Sequence, residues 1–195
     1  VWDAKTGEPV TEPLKHENSV NSAQFSPDGK YIVTASYDYT ARVWDAKTGE
    51  PVTESLRHEG PVYSAQFSPD GKYIVTASSD NTARVWDAKT GEPVTEPLKH
   101  EDYVKSAQFR PDGKYIVTAS WDNTARVWNA RTGELVTEPL KHENSVNSAQ
   151  FRPDGKYIVT VSDDNTARVW DAKTGEPVTE PLKHEDSVNS AQFSP

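Results

Sequence analysis

Four times along this chain a histidine, a serine and an aspartate recur at one spacing. The sets are His16, Ser36 and Asp38; His58, Ser78 and Asp80; His100, Ser120 and Asp122; and His142, Ser162 and Asp164. Hydroxyl, imidazole and carboxylate are the ingredients of nucleophilic acyl transfer, in which a base takes the proton of the attacking oxygen and an acid orients the base. A catalytic site is normally unique, whereas this set returns again and again at one fixed interval, and no G-x-S-x-G elbow accompanies any copy. The repetition reads instead as a buried polar network that fixes one loop against the next, and catalysis is not expected. A metal site is not expected either. The 5 histidines follow that same long interval rather than ligand spacing, and neither Asp163-Asp164 nor the Pro-Asp-Gly turns match a calcium loop. With no cysteine and no G-x-x-x-x-G-K, thiolate chemistry and a phosphate cradle are excluded, so no cofactor is expected.

The elements that position these residues follow from the same period. The string VWDAKTGEPVTEPLKHE starts at Val1, and close copies start at Val43, Val85, Val127 and Val169. Four periods of 42 take 168 of the 195 residues, the last copy is partial, and no linker interrupts them, so residues 1–195 form a single array. Turn chemistry cuts each unit into short pieces: Ser26-Pro27-Asp28-Gly29, the Ala4–Pro9 stretch, and Tyr37-Asp38-Tyr39. Between them SVNSAQF, KYIVTAS, TARVW and PVTEPL are each of strand length and rich in Val, Ile, Thr, Tyr or Trp, with no helical apolar stripe. Four short strands per unit predict an all-β chain of repeated antiparallel sheets.

A four-stranded unit cannot bury both of its faces, so its neighbours must cover them. That accounts for a hydrophobic content of only 34%, which in another chain would suggest disorder. Few large residues are needed per unit; in the first they are Leu14, Phe25, Tyr31, Ile32, Val33 and Trp44. The net charge of −9 argues against a nucleic-acid or anionic-membrane partner, and no apolar run approaches the length of a membrane span. It also has a structural source, since the first unit alone carries two more acidic than basic residues. No residue pattern names a compartment; the cytoplasm is the expectation.

The unit resembles the WD-repeat β-propeller family over the whole chain. The residues that carry the resemblance are the His before the first strand (His16), the FSPDG at its end, the Asp of the next turn (Asp38) and the closing Trp44-Asp45. Trp86, Trp128 and Trp170 close the later copies; Lys15 or Arg57 stands where the family has Gly before His, and Asn129 follows Trp128. Near-identical tandem units of this kind are similar to bacterial arrays. The resemblance implies a propeller of four-stranded blades, four full and one partial. It also implies a structural tetrad in each blade, in which His16 bonds Asp38 and a strand hydroxyl leads to the Trp44 indole. Ser36 or Thr34, on one strand face, supplies that hydroxyl; Ser36 is the reading adopted, with Ser78, Ser120 and Ser162 in the other units.

What differs between copies is more informative than what repeats. One group of varying positions reads Asn18-Ser19-Asn21, Gly60-Pro61-Tyr63, Asp102-Tyr103-Lys105, Asn144-Ser145-Asn147 and Asp186-Ser187-Asn189. A second reads Tyr37, Ser79, Trp121 and Asp163, and a third Tyr39, Asn81, Asn123 and Asn165. In a WD-like propeller these open on the face such proteins use for partners. Tyr37, Tyr39, Tyr63, Tyr103, Lys105, Trp121 and Asp163 are therefore the expected partner-binding residues, because exposed Tyr and Trp give large contact area at low entropy cost. Arg110 and Arg152, in place of Ser26, map to the opposite face. The expected role is a non-catalytic scaffold for a protein or peptide. Two alternatives stand beside it: the sensor array of a larger bacterial signalling ATPase or kinase, and a self-assembling structural array. Because four blades are fewer than a closed ring holds, the molecule is expected either to continue beyond its ends or to close a ring with a second copy.

Overall fold

The computed structural model describes residues 1–194, which form sixteen strands and, among the described residues, no helix. The first sheet holds β1 (Val20–Phe25), β2 (Tyr31–Ser36), β3 (Thr40–Asp45) and β4 (Leu56–Arg57). The second holds β5 (Val62–Phe67), β6 (Tyr73–Ser78), β7 (Thr82–Asp87) and β8 (Leu98–Lys99). The third holds β9 (Val104–Phe109), β10 (Tyr115–Ser120), β11 (Thr124–Asn129) and β12 (Leu140–Lys141). The fourth holds β13 (Val146–Phe151), β14 (Tyr157–Ser162), β15 (Thr166–Asp171) and β16 (Leu182–Lys183). Each is an antiparallel meander in chain order.

The turns work as their residues dictate. Gly29 sits at φ 70°, the left-handed conformation the end of the Pro-Asp-Gly turn requires, and Ser26 Oγ bonds Asp28 Oδ1 at 2.7 Å to close it. The turn between the second and third strands also needs a left-handed residue. Asn81, Asn123 and Asn165 supply it, and in the first sheet Tyr39 does so at φ 70°.

The outermost strand is shorter than PVTEPL suggests. In the first sheet it reduces to a bridge from Trp44 to Pro51 and the two residues of β4. The shortening is the same in the third sheet, where Leu135 stands in place of the first proline, and in the first sheet, where Ser55 stands in place of the second, so proline alone does not set it.

The sheets pack face to face in chain order, β2 against β5, β6 against β9 and β10 against β13. Val33, Ala35, Ala41, Val43 and Leu56 of the first sheet form one cluster with Val62, Ala65, Phe67, Ile74 and Trp86 of the second. The next two interfaces repeat this. Polar bonds cross too: Asn21 Nδ2 donates to the Val62 carbonyl, and the Gln66 and Gln108 side chains accept from the Phe109 and Phe151 amides. Two of the large residues expected in the core are not there. Phe25, on the outer face of the first of the four described sheets, is exposed, and Tyr31 lies at the rim of its strand, as its copy Tyr73 does.

Candidate functional site

The His and Asp of each unit meet at one end of its sheet. His16 Nδ1 lies 2.8 Å from Asp38 Oδ2, and the same pair measures 2.7 to 2.8 Å in the other three sheets. The hydroxyl of the network belongs to Thr34, not Ser36. Trp44 Nε1 donates to Thr34 Oγ1 at 2.9 Å, and His16 Nε2 is 2.6 Å from the same oxygen. Thr76, Thr118 and Thr160 play this part in the other sheets, so Ser78, Ser120 and Ser162 are corrected with Ser36. The register is the reason. Trp44 faces Ile32, which puts Thr34 one pleat away, within reach of an indole, and Ser36 two pleats away. Ser36 instead accepts from the Asp38 amide and donates to the Asn18 carbonyl, tying the loop ends together.

Proton bookkeeping gives the network one direction. A carboxylate only accepts, so His16 Nδ1–H donates to Asp38 and Nε2 accepts from the Thr34 hydroxyl, which accepts from Trp44. Burial pushes Asp38 up, but hydrogen bonds from the Thr40 hydroxyl, His16 and the Glu17 amide outweigh it and hold the acid at about 2. Asp164 is also held at about 2, and Asp80 and Asp122 lie lower still. Burial lowers His16, His100 and His142 despite the adjacent carboxylates. Thr76, Thr118 and Thr160 are fully buried, so the hydroxyl that would act as a nucleophile meets no solvent. Chemically this is a lock on a turn.

The variable residues gather beside these locks. Tyr37 meets Tyr63 edge-on at 6.1 Å between ring centroids, Tyr63 lies 6.5 Å from Tyr103, and Tyr103 lies 5.5 Å from Trp121 at an interplanar angle of 31°. Lys105 Nζ sits 3.8 Å from the centre of Tyr63 and 5.0 Å from that of Trp121, a cation over two rings. Burial lowers the Lys105 pKa, and burial with the neighbouring Tyr37 raises that of Tyr63. Tyr37, Tyr103 and Trp121 keep 37 to 41% of their surface exposed, although each has a ring neighbour.

Two of the singled-out residues stand apart from this row. Tyr39 is half exposed, with no aromatic neighbour, and its carbonyl accepts from the His58 amide. Asp163 is held by Asn147 Nδ2 at 2.7 Å, so that carboxylate is committed within its own sheet. Arg110 and Arg152 lie at the other end of the strands, over Tyr115 and Tyr157. Sequence reasoning left Thr34 as the alternative to Ser36 and chose the serine. A pairing register counted out from the Tyr37–Tyr39 turn would have decided between them.

Known proteins share this architecture. The computationally designed Ika8 protein, known from a crystal structure, is similar at a TM-score of 0.89 and 27% identity; the likeness covers 100% of this chain and 58% of that one. The family described as WD domain, G-beta repeat, matches residues 7–45, 49–87, 91–129 and 133–171, each spanning the three long strands of one sheet and the turn that carries its Asp. With four tandem matches spread over most of its length, this chain belongs to the WD-repeat family of β-propellers.

Proposed function

We propose that the end of the array carrying Tyr37, Tyr63, Tyr103, Lys105 and Trp121 binds a protein or peptide segment, and that the chain works as a non-catalytic scaffold. WD repeats generally serve protein interaction. One observation supports a site in this particular place. Four aromatic side chains from three consecutive sheets stack into a row that stays open to solvent, where the equivalent positions outside the row and Lys105 are Ser, Asn, Asp or Pro. Stacked rings on a fixed backbone lose little freedom on contact, so their burial converts to affinity with less ordering cost than a mobile loop would incur. Lys105 adds a charge that a carboxylate or carbonyl of the partner can meet.

The test is selection of a random peptide library on immobilised chain, followed by titration of the selected peptides. Trp121→Ala and Tyr103→Ala should each weaken binding at least about tenfold, the hot-spot range for buried aromatic anchors. Arg110→Ala and Arg152→Ala, at the opposite end, should leave it unchanged. The reverse pattern would place the binding surface on the other face.

A further inference from the structure

We propose that the cleft between the second and third sheets, at the end of the strands opposite the aromatic row, binds a small aromatic phosphate monoester whose phosphate is held by Lys114 and Arg131.

The cleft is a space of about 350 Å³ lined by Tyr73 of the second sheet and Tyr115 of the third. Val94 and Ala130 line it too, and both pack with the apolar cluster that joins these two sheets. Val94 is half-buried here, whereas its copies Val52 and Val136 are exposed. Lys114 and Arg131 line the same space, and no carboxylate does.

Three departures from the repeat, all in or next to the third sheet, give this cleft its charge. Asn129 stands where the other units have Asp3, Asp45, Asp87 and Asp171. Its Oδ1 accepts from the Arg131 and Thr132 amides, as Asp87 Oδ1 accepts from those of Lys89 and Thr90. The turn is therefore kept, and only the negative charge is lost. In the cleft between the first and second sheets that charge remains, since Asp87 lines it with Lys72 and Lys89 and its amide bonds hold the acid below its ordinary pKa. Arg131 replaces Lys5, Lys47, Lys89 and Lys173, which offers a planar fork to two oxygens in place of a point charge. Arg110 replaces Ser26 and Ser68 and redirects a third group. Lys30 and Lys72 lie 3.3 and 3.5 Å from Asp28 and Asp70, but in the third sheet it is Arg110 that lies 3.3 Å from Asp112. Among the described residues neither Lys114 nor Arg131 has a carboxylate within ion-pair distance. The fourth sheet has its own arginine, Arg152, yet Asp112 and Asp171 both line the cleft between it and the third.

Two unpaired cations beside two tyrosine rings complement a dianion on a flat apolar body. A phosphate monoester carries close to two negative charges at neutral pH, and a guanidinium can take two of its oxygens while an ammonium takes another. Arg110 lies 5.0 Å from the centre of the Tyr115 ring without lining the cleft, and so braces that wall. The space is at the small end of ligand sites, room for a ring and its phosphate rather than a length of chain. Side-chain cations do the holding, so the site needs none of the glycine-loop geometry that the sequence lacks.

Calorimetric titration of the whole chain with phenyl phosphate tests the proposal. Binding should saturate, and benzoate, with a single charge, and inorganic phosphate, with no ring, should each bind about tenfold more weakly. Asn129→Asp restores the residue of the other units and so keeps the fold; it and Arg131→Gln should each weaken phenyl phosphate at least about tenfold. Trp121→Ala and Lys72→Gln should leave its affinity unchanged, which separates the cleft from the aromatic row and from the neighbouring cleft. A peptide bearing phosphotyrosine should bind no more tightly than phenyl phosphate. Absence of binding up to about 10 mM phenyl phosphate, affinity indifferent to both Asn129→Asp and Arg131→Gln, or a phosphopeptide about tenfold tighter than phenyl phosphate would overturn it.

Discussion

Asp122 and Trp121 are neighbours in one turn, yet they obey different rules. The Asp122 side chain is 4% exposed, bonded to His100, Thr124 and the Glu101 amide, and its equivalent is Asp in all four sheets. Trp121 is 37% exposed, and its equivalents are Tyr37, Ser79 and Asp163. The buried partner fixes the backbone of the turn, so the residue beside it keeps its aim whatever side chain it carries. Constancy holds the fold, and variation beside it is free to make a binding surface.

The largest blow to the constant half is acid, because it reaches every network at once. His100 and His142 are held below their ordinary value of 6.5, so below pH 6.5 the unfolded chain binds more protons and stability falls as pH drops toward their lowered values. Asp38 and Asp164 are held at about 2 against an ordinary 3.8, and their contribution is lost as pH falls through that window. Urea titrations at a series of pH values should show stability level above pH 7, a first decline below 6.5 and a steeper one below 4. Stability that stays level down to pH 4 would detach the histidines from the fold.

Single substitutions come next. Thr118→Val keeps the shape of the side chain but leaves the Trp128 indole N–H and His100 Nε2 unpaired in a buried site, a loss of about 3 kcal/mol. Ser120→Ala removes only the loop tie to the Asp102 carbonyl and Asp122 amide and should cost about 1 kcal/mol. Chemical denaturation of the two variants gives the order, and a costlier serine would return the relay to Ser120.

That contrast also marks what could be read without coordinates. The repeat period, the three long strands and the His, Asp and Trp positions are visible because each rests on local chemistry: turn residues, β-branched runs, a fixed spacing. Thr against Ser was not, because both lie on one strand face and only the pairing of Ile32 with Trp44 separates them. Nor was the commitment of Asp163 to Asn147, 16 residues away, or the reduction of the outer strand to a bridge and two paired residues.

The smallest effect tests where the variable half strains the constant one. Tyr39 adopts the left-handed conformation that Asn takes in the other three sheets. Tyr39→Asn should therefore raise stability by about 0.5 to 1 kcal/mol, read from the shift in denaturation midpoint. A loss would mean that the Tyr39 ring makes contacts worth more than the strain.

The most direct test erases the variation and keeps everything else. In a levelled chain, Tyr37→Ser, Tyr63→Asn, Tyr103→Ser, Lys105→Asn and Trp121→Ser bring the row to residues already present at the same positions in other units. Peptide-library selection on this chain, beside the unaltered one, reads the outcome. The account predicts that the levelled chain stays folded and no longer enriches the peptides the unaltered chain selects. If it enriches the same peptides with the same affinity, recognition does not reside in the variable face.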